Sequence, residues 1–205
     1  MKERRTIKTS KKEIVDYWSG HVDECGLSVD WADADCRCWR CGCKKNLQRC
    51  HIIPDSLGGK DEASNLVLLC TRCHEDGPNV KDPEIMWDWI KAYGVPFYDT
   101  FWTIVGMKEY GFIYGHSMES DLKNIIESSA VEVTEENVQS ILQEKMSSIA
   151  NKANVHFGQP YLNTATMAGL YRMMLKELAR ELGVEFPLKE EKVKNKIPWW
   201  LNSIQ

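Results

Sequence analysis

The feature that most constrains this sequence is two pairs of cysteines with two residues between the partners. They stand in the segments CWRC and CTRC, as Cys38 with Cys41 and Cys70 with Cys73. Each spacing lets a pair wrap its backbone amides around one ion, and two such pairs complete a tetrahedral thiolate shell suited to zinc. The chain between the pairs has room for two strands and a loop. We therefore expect one structural zinc ion that staples a small fold.

The other cysteines leave one ambiguity in this assignment. The first pair lies in the longer run CRCWRCGC, which also contains Cys36 and Cys43. Gly42 permits the tight turn that a zinc knuckle needs, and this favours the inner pair. An even cysteine count in an exported chain would suggest disulfides, but the sequence starts with basic residues and no apolar export signal. We interpret Cys25, Cys36 and Cys43 as small thiols.

Composition and charge bound the remaining possibilities. A chain of 205 residues can bury a real core, and its length falls between one large domain and two small ones. No apolar run approaches the length of a membrane span, so we expect a cytoplasmic protein. The net charge of −4 argues against a surface that is basic throughout. Residues 36–60 nevertheless carry six basic side chains and one acid, and this local excess of positive charge can meet phosphates.

The segment between the cysteine pairs is typical of two strands joined by a turn-rich loop. NLQRCHII, residues 46–53, has the β-branched and apolar content of a strand, and NLVLLC, residues 65–70, predicts a second one. A helix can begin after Cys70, but EDGPN ends it within a turn or two. His51 thus stands on an otherwise apolar strand. Either packing in the core or a functional role can account for it.

In their order, the segments CWRCG, CHIIP, GG, NLVLLC and CTRCH resemble the HNH nuclease family with its ββα-metal finger. The resemblance covers residues 36–76, about a fifth of the chain. It implies a metal-dependent endonuclease with His51 as the general base. It also implies that Asn65 orients the base or joins the metal shell. The same resemblance implies that His74 holds a catalytic divalent ion, which can be Mg, Mn or Zn.

The chemistry of phosphodiester hydrolysis agrees with these residue types. The reaction needs a base that activates water and a cation that neutralises charge on the phosphoryl oxygens. Histidine titrates near neutral pH, which suits His51 for the first task. Arg49 and Arg72 flank the motif, and either phosphate contacts or simple solvation can account for them.

Two positions depart from the family pattern. Cys50 stands where many members have an aspartate or a histidine as a second ligand of the catalytic ion. A thiolate would favour a thiophilic ion, so Cys50 either narrows the choice of metal or, as we favour, is not a ligand. Asp55, Asn65 or water can then complete the shell. Pro78 is the second departure, because some relatives carry another histidine there on a longer helix.

The rest of the chain indicates architecture rather than chemistry. DPEIMWDWIKAYG predicts a short helix with Asp82 as its N-cap and Gly94 as its stop. In the aromatic-rich stretch 95–114 we favour core packing over base stacking. The charged run KEEKVKNK predicts a solvated tail, onto which Trp199 and Trp200 can dock back. Apolar residues at helical spacing predict three more helices, around 122–126, 138–149 and 167–182.

Together these patterns predict an α+β protein in which a small zinc-stapled ββα-metal finger is embedded in a mostly helical chain. The predicted domains are a basic, helical lead-in (1–30), an HNH nuclease domain with an aromatic-rich extension (31–116) and a helical C-terminal domain (117–205). The Met-rich and Leu-rich faces of the C-terminal helices can pair two copies into a homodimer. The alternative is that these faces pack on their own finger.

Two functions of different classes fit these residues. The first is a DNA endonuclease, which the resemblance places in restriction, phage defence or mobile-element DNA handling, with RNA as an alternative substrate. The second is a non-catalytic zinc-finger module that binds nucleic acid or protein. His51, Asn65 and His74 occur together and favour the nuclease, because a structural zinc site needs none of the three.

Overall fold

The computed structural model describes residues 6–130, 134–155 and 161–186. The chain divides into two compact units, Met1–Trp102 and Thr103–Gln205. Helices dominate the described residues, and one two-stranded sheet accompanies them, so the predicted α+β class is confirmed. The three-part division at residues 30 and 116 stays a prediction. The charged run KEEKVKNK, with Trp199 and Trp200, lies outside the described residues.

The first unit contains the finger that the sequence predicts. Strands β1 (Leu47–His51) and β2 (Leu66–Cys70) pair antiparallel, with His51 opposite Leu66. β2 is buried along its whole length, whereas in β1 only Leu47 and Cys50 are buried. The sequence of β2 explains this, because LVLLC offers no polar side chain to a solvated face. A single turn of helix follows β2 directly, at Thr71–Glu75.

Helix α1 (Lys11–Ser19) precedes the finger and is tied to it. The helix begins with a capping box, in which the Ser10 hydroxyl accepts from the Glu13 N–H at 3.2 Å. The Glu13 carboxylate in turn accepts from the Ser10 N–H at 2.6 Å. In its last turn, Trp18 donates its indole N–H to the Leu66 carbonyl at 2.7 Å. The helix is therefore fixed to the start of β2.

The short helix predicted after the finger is present. The single turn at Thr71–Glu75 is α2, and the short helix that follows it is α3 (Pro83–Lys91). Its N-cap Asp82 accepts from the Glu84 N–H at 3.0 Å, and Pro83 occupies the first turn, as predicted. Met86 and Ile90, one turn apart, are buried. The apolar spacing of the sequence thus sets the face that this helix buries.

The aromatic-rich stretch forms a helix that the sequence analysis did not predict, α4 (Phe101–Tyr114). Phe101 and Tyr110 are fully buried, as expected for core packing. Phe97 and Phe112 are 73% and 71% exposed, so core packing does not hold for the whole stretch. Glycines and aromatic residues are weak helix formers, and therefore local propensity did not indicate this helix.

The second unit is organised around its last described helix. Helices α5 (Met118–Glu127), α6 (Glu135–Ala150) and α7 (Thr164–Glu181) overlap the three predicted from apolar spacing. The buried residues of α7 form the centre of the core and include Ala168, Leu170, Tyr171, Met174, Leu175, Leu178 and Ala179. Among the described residues, none of the helices combines the length and the apolar character needed to cross a bilayer.

Candidate metal centre and active site

The four predicted zinc ligands form one buried cluster. The Sγ atoms of Cys38, Cys41, Cys70 and Cys73 all lie within 4.8 Å of one another. Those of Cys41 and Cys70 are 3.8 Å apart. A tetrahedral ion with Zn–S bonds of about 2.3 Å separates its sulfur ligands by about 3.8 Å. The cluster therefore fits a thiophilic divalent ion, and it contains the inner cysteine pair that the sequence analysis favours.

The turn at Gly42 gives the first half of the cluster its shape. Gly42 has a φ of +66°, and a Cβ there would lie 2.6 Å from the Ser28 carbonyl oxygen. Its N–H donates to the Cys38 carbonyl at 2.8 Å, which closes the knuckle. Only glycine fits these two requirements together. Cys36 stays outside the cluster, since its thiol donates to the Asp33 carbonyl at 3.4 Å.

The thiols of the cluster are electrostatically coupled. Hydrogen bonds from the other three cysteines, with Cys38 as the largest contributor, lower the pKa of Cys70. The pKa of Cys41 is raised instead, and its hydrogen bond with Cys38 is the largest cause. Several thiolates this close together need a cation that compensates their charge. Arg40 supplies part of this positive charge, because its Nη1 lies 3.8 Å from the Cys73 Sγ. Its guanidinium is held there by stacking on two aromatic rings.

His51 lies at the end of β1, where it lines a cavity. It is half-buried, which distinguishes it from a packed core histidine. A half-buried residue in a cavity wall can meet a bound substrate or an attacking water. The cavity has a volume of about 420 Å³ and is lined by Thr6, Ile7, Lys8, His51, Asp55 and Asp61.

Asn65 braces the chain that follows His51. Its Oδ1 accepts from the Ile53 N–H at 2.9 Å, and its Nδ2 donates to the carbonyls of Ile53 at 3.1 Å and Lys60 at 3.0 Å. Its backbone carbonyl also accepts from the Ile52 N–H at 2.8 Å. The side-chain amide thus holds the two chain segments on either side of the loop together.

His74 lies in α2 and is placed by a separate contact. Its Nδ1 donates to the Gln48 Oε1 at 2.6 Å. The Gln48 amide also donates to the Thr71 hydroxyl at 3.2 Å. Gln48 and His51 are three residues apart on β1, with their Cα atoms about 10 Å apart. The structure thus brings Asn65 and His51 into one arrangement and holds His74 through another.

Cys50 is the position where the family pattern has a second ligand. The residue is 4% exposed, and its thiol lies 3.6 Å from the His51 carbonyl oxygen. Burial, helped by the charge at Cys38, raises the pKa of Cys50 to about 12. Beyond the cysteine cluster, the described residues hold no further group of three His, Cys, Asp or Glu side chains that could share an ion.

Both arginines predicted to contact phosphates are engaged within the protein. The Arg49 Nη1 donates to the Thr9 carbonyl at 3.1 Å. The Arg72 guanidinium lies over the Trp102 ring, 3.2 Å from its centroid. Arg49 therefore holds the segment before α1, and Arg72 packs against an aromatic residue.

The segment before α1 is the part of the site that sequence analysis missed. The Asp61 carboxylate accepts from the Lys8 N–H at 2.6 Å, the Thr9 N–H at 3.4 Å and the Thr9 hydroxyl at 2.9 Å. These hydrogen bonds lower the pKa of Asp61, and the one from the Lys8 N–H contributes most. The contact joins residues more than fifty positions apart, and its only trace in the sequence is that Asp61 is one of three acids in a turn-rich loop.

A comparison with known families agrees with this geometry. The family model described as HNH endonuclease matches residues 38–86. This segment is of the HNH type. It covers about a quarter of the chain and contains the cysteine cluster, His51, Asn65 and His74. No curated protein and no solved structure matches the chain. The HNH segment indicates a nuclease, since HNH domains act on nucleic acids.

Proposed function

We propose that this protein is a metal-dependent DNA endonuclease that hydrolyses phosphodiester bonds. The observation that carries the proposal is the position of His51, which ends the first strand of the HNH segment in the wall of a cavity. A general base must reach its water, and a residue on a cavity wall meets this condition. A structural zinc site alone would need no accessible histidine at this place.

In this proposal His51 and Asn65 have different tasks. An imidazole nitrogen of His51 takes the proton from the attacking water. Asn65 is a positioning residue, because its hydrogen bonds fix Ile52 and Ile53, the two residues that follow the base. Fixed geometry between base and substrate supplies a large part of the rate in such reactions.

Two metals are proposed, with separate roles. The four-cysteine cluster holds a structural zinc ion that joins the knuckle around Gly42 to the end of β2. His74 holds the catalytic divalent ion, Mg²⁺, Mn²⁺ or Zn²⁺, which when bound neutralises charge on the phosphoryl oxygens. Gln48 orients the His74 ring for this task, as a second partner commonly does for a metal-binding histidine. Asp55, Asn65 or water would complete the shell.

The wider setting belongs to the same proposal. DNA is the substrate and RNA the alternative, and the enzyme acts in the cytoplasm in restriction, phage defence or mobile-element DNA handling. One HNH segment offers one hydrolytic site, so cutting both strands is simplest if two copies pair through the C-terminal helices.

Cleavage of a supercoiled plasmid with Mg²⁺, Mn²⁺ or Zn²⁺ tests the proposal. We expect nicked or linear product, and His51→Ala should lower the rate by about two to four orders of magnitude, the usual effect of losing a positioned proton acceptor. His21→Ala is the matched control, because the exposed His21 ring stacks on Tyr17 in α1. It should cut at the wild-type rate. DNA binding without cleavage under all three ions would instead support the non-catalytic zinc module.

A further inference from the structure

The segment before α1 forms one wall of the His51 cavity, although it lies outside the HNH segment. Thr6, Ile7 and Lys8 line the cavity together with His51. They precede the first residue of the family match, Cys38, by about thirty positions. The candidate active site therefore contains an element that the HNH pattern does not describe.

Three independent contacts fix this segment beside His51. Asp61 accepts from the Lys8 N–H at 2.6 Å and from the Thr9 hydroxyl at 2.9 Å. From β1, Arg49 donates to the Thr9 carbonyl at 3.1 Å. The capping box at Ser10 then joins the segment to α1. The backbone at Lys8 is thus held in place while its side chain remains exposed.

The charges around the cavity require a cation for a phosphate to enter. Asp55 and Asp61 line the cavity, and their carboxylates repel a phosphodiester. Lys8 is the one lysine or arginine among the described residues that line it, and it is exposed. Arg49, the cation that the sequence suggested for phosphate binding, has a guanidinium nitrogen on the Thr9 carbonyl.

We propose that Lys8 is a substrate-binding residue whose ammonium contacts a backbone phosphate of the nucleic acid at the His51 cavity. Asp61 is the positioning residue that holds Lys8 there. This inference rests on the proposed nuclease function and adds a binding element from outside the HNH segment. A lysine acts on phosphate as a point charge, so its effect should appear in the salt dependence of binding.

The test compares Lys8→Ala with Lys11→Ala, an exposed lysine three positions further along. Binding of a DNA duplex is measured on the His51→Ala background across a range of salt concentrations, so that no cleavage intervenes. Lys8→Ala should weaken binding about threefold to tenfold and reduce the slope of log affinity against log salt by about 0.9. Lys8→Arg should restore both values, and Lys11→Ala should change neither.

The positioning role of Asp61 is tested by a double-mutant cycle. Asp61→Ala also removes a carboxylate that repels phosphate, so the salt slope is the readout. Asp61→Ala should reduce the slope as Lys8→Ala does, and the double variant should reduce it no further than either single variant. Independent, additive losses would contradict the positioning role.

Cleavage separates this inference from the proposed function. If the wild-type protein binds DNA without cutting it, the nuclease proposal fails while the salt slope still decides the role of Lys8. If the protein cuts DNA and Lys8→Ala binds and cuts normally, only the inference about Lys8 fails. Faster cutting by Lys8→Ala would overturn it too, since the segment would then obstruct the site. Absence of DNA binding would overturn both.

Discussion

Each of the two units of this protein is stabilised internally in a different way. In Met1–Trp102 the sheet has only two strands of five residues each, and the cysteine cluster joins the end of β2 to the knuckle. In Thr103–Gln205 an apolar core surrounds one face of α7. Two short strands bury little surface alone, whereas packed amphipathic helices do not need a metal. We infer that the first unit depends on its ion for folding and that the second does not.

Buried charge shows the same difference. In the first unit, Arg40 lies beside thiols whose charge a bound metal ion would balance. In the second unit, the fully buried Asp121 accepts from the Arg172 guanidinium at 2.9 Å and from the Tyr110 hydroxyl. Side chains alone compensate this carboxylate. Chelation and mutation should therefore affect the two units separately.

The largest expected effect is that of Cys41→Ser. Removing one thiolate from a four-cysteine shell should abolish binding of the tightly held zinc and unfold the finger, because metal binding and folding are coupled. Six of the eight tryptophans lie in the first unit, so tryptophan fluorescence should shift while far-UV circular dichroism keeps much of its helical signal. Metal analysis measures the loss directly.

The exposed Cys25 supplies the matched control, since Cys25→Ser should retain one zinc ion per chain. Full metal retention in Cys41→Ser would contradict the assigned ligand set. Cys36 or Cys43 would then take the place of Cys41.

A smaller effect is expected from Arg172→Leu, which leaves Asp121 buried without its cation. Loss of one partner of a buried ion pair should lower the free energy of unfolding of the second unit by about 3–5 kcal/mol. Zinc content should not change. Lys152→Ala removes a half-exposed partner of Glu177 and should cost under about 1 kcal/mol. Urea unfolding followed by circular dichroism compares the two, and metal loss in Arg172→Leu would break the proposed independence.

The parts of the structure that were predictable depend on local patterns. The spacing of four cysteines, with Gly42 after the second, predicted the cluster correctly because a metal shell imposes short, fixed intervals. Apolar spacing and the Asp82 cap predicted α3 because a helix repeats its buried positions every three to four residues and needs a cap at its start.

The missed parts depend on contacts between distant residues. Gly106 interrupts the helical pattern of α4, yet a Cβ there would lie 2.9 Å from the Met167 Cβ, so the glycine serves the packing of two helices. The bonds from Lys8 to Asp61 and from His74 to Gln48 likewise have no local signal. Local pattern shows which residues a site can use, and tertiary contacts decide how they are placed.

A metal titration of plasmid cleavage by His51→Ala and His74→Ala tests the central claim most directly. If His51 is the base and His74 holds the catalytic ion, both variants should cut poorly at low Mg²⁺ or Mn²⁺. Raising the ion concentration should partly restore His74→Ala, because mass action refills a weakened site, and should leave His51→Ala inactive. Recovery of His51→Ala with added ion, or cleavage by it at the wild-type rate, would contradict the account.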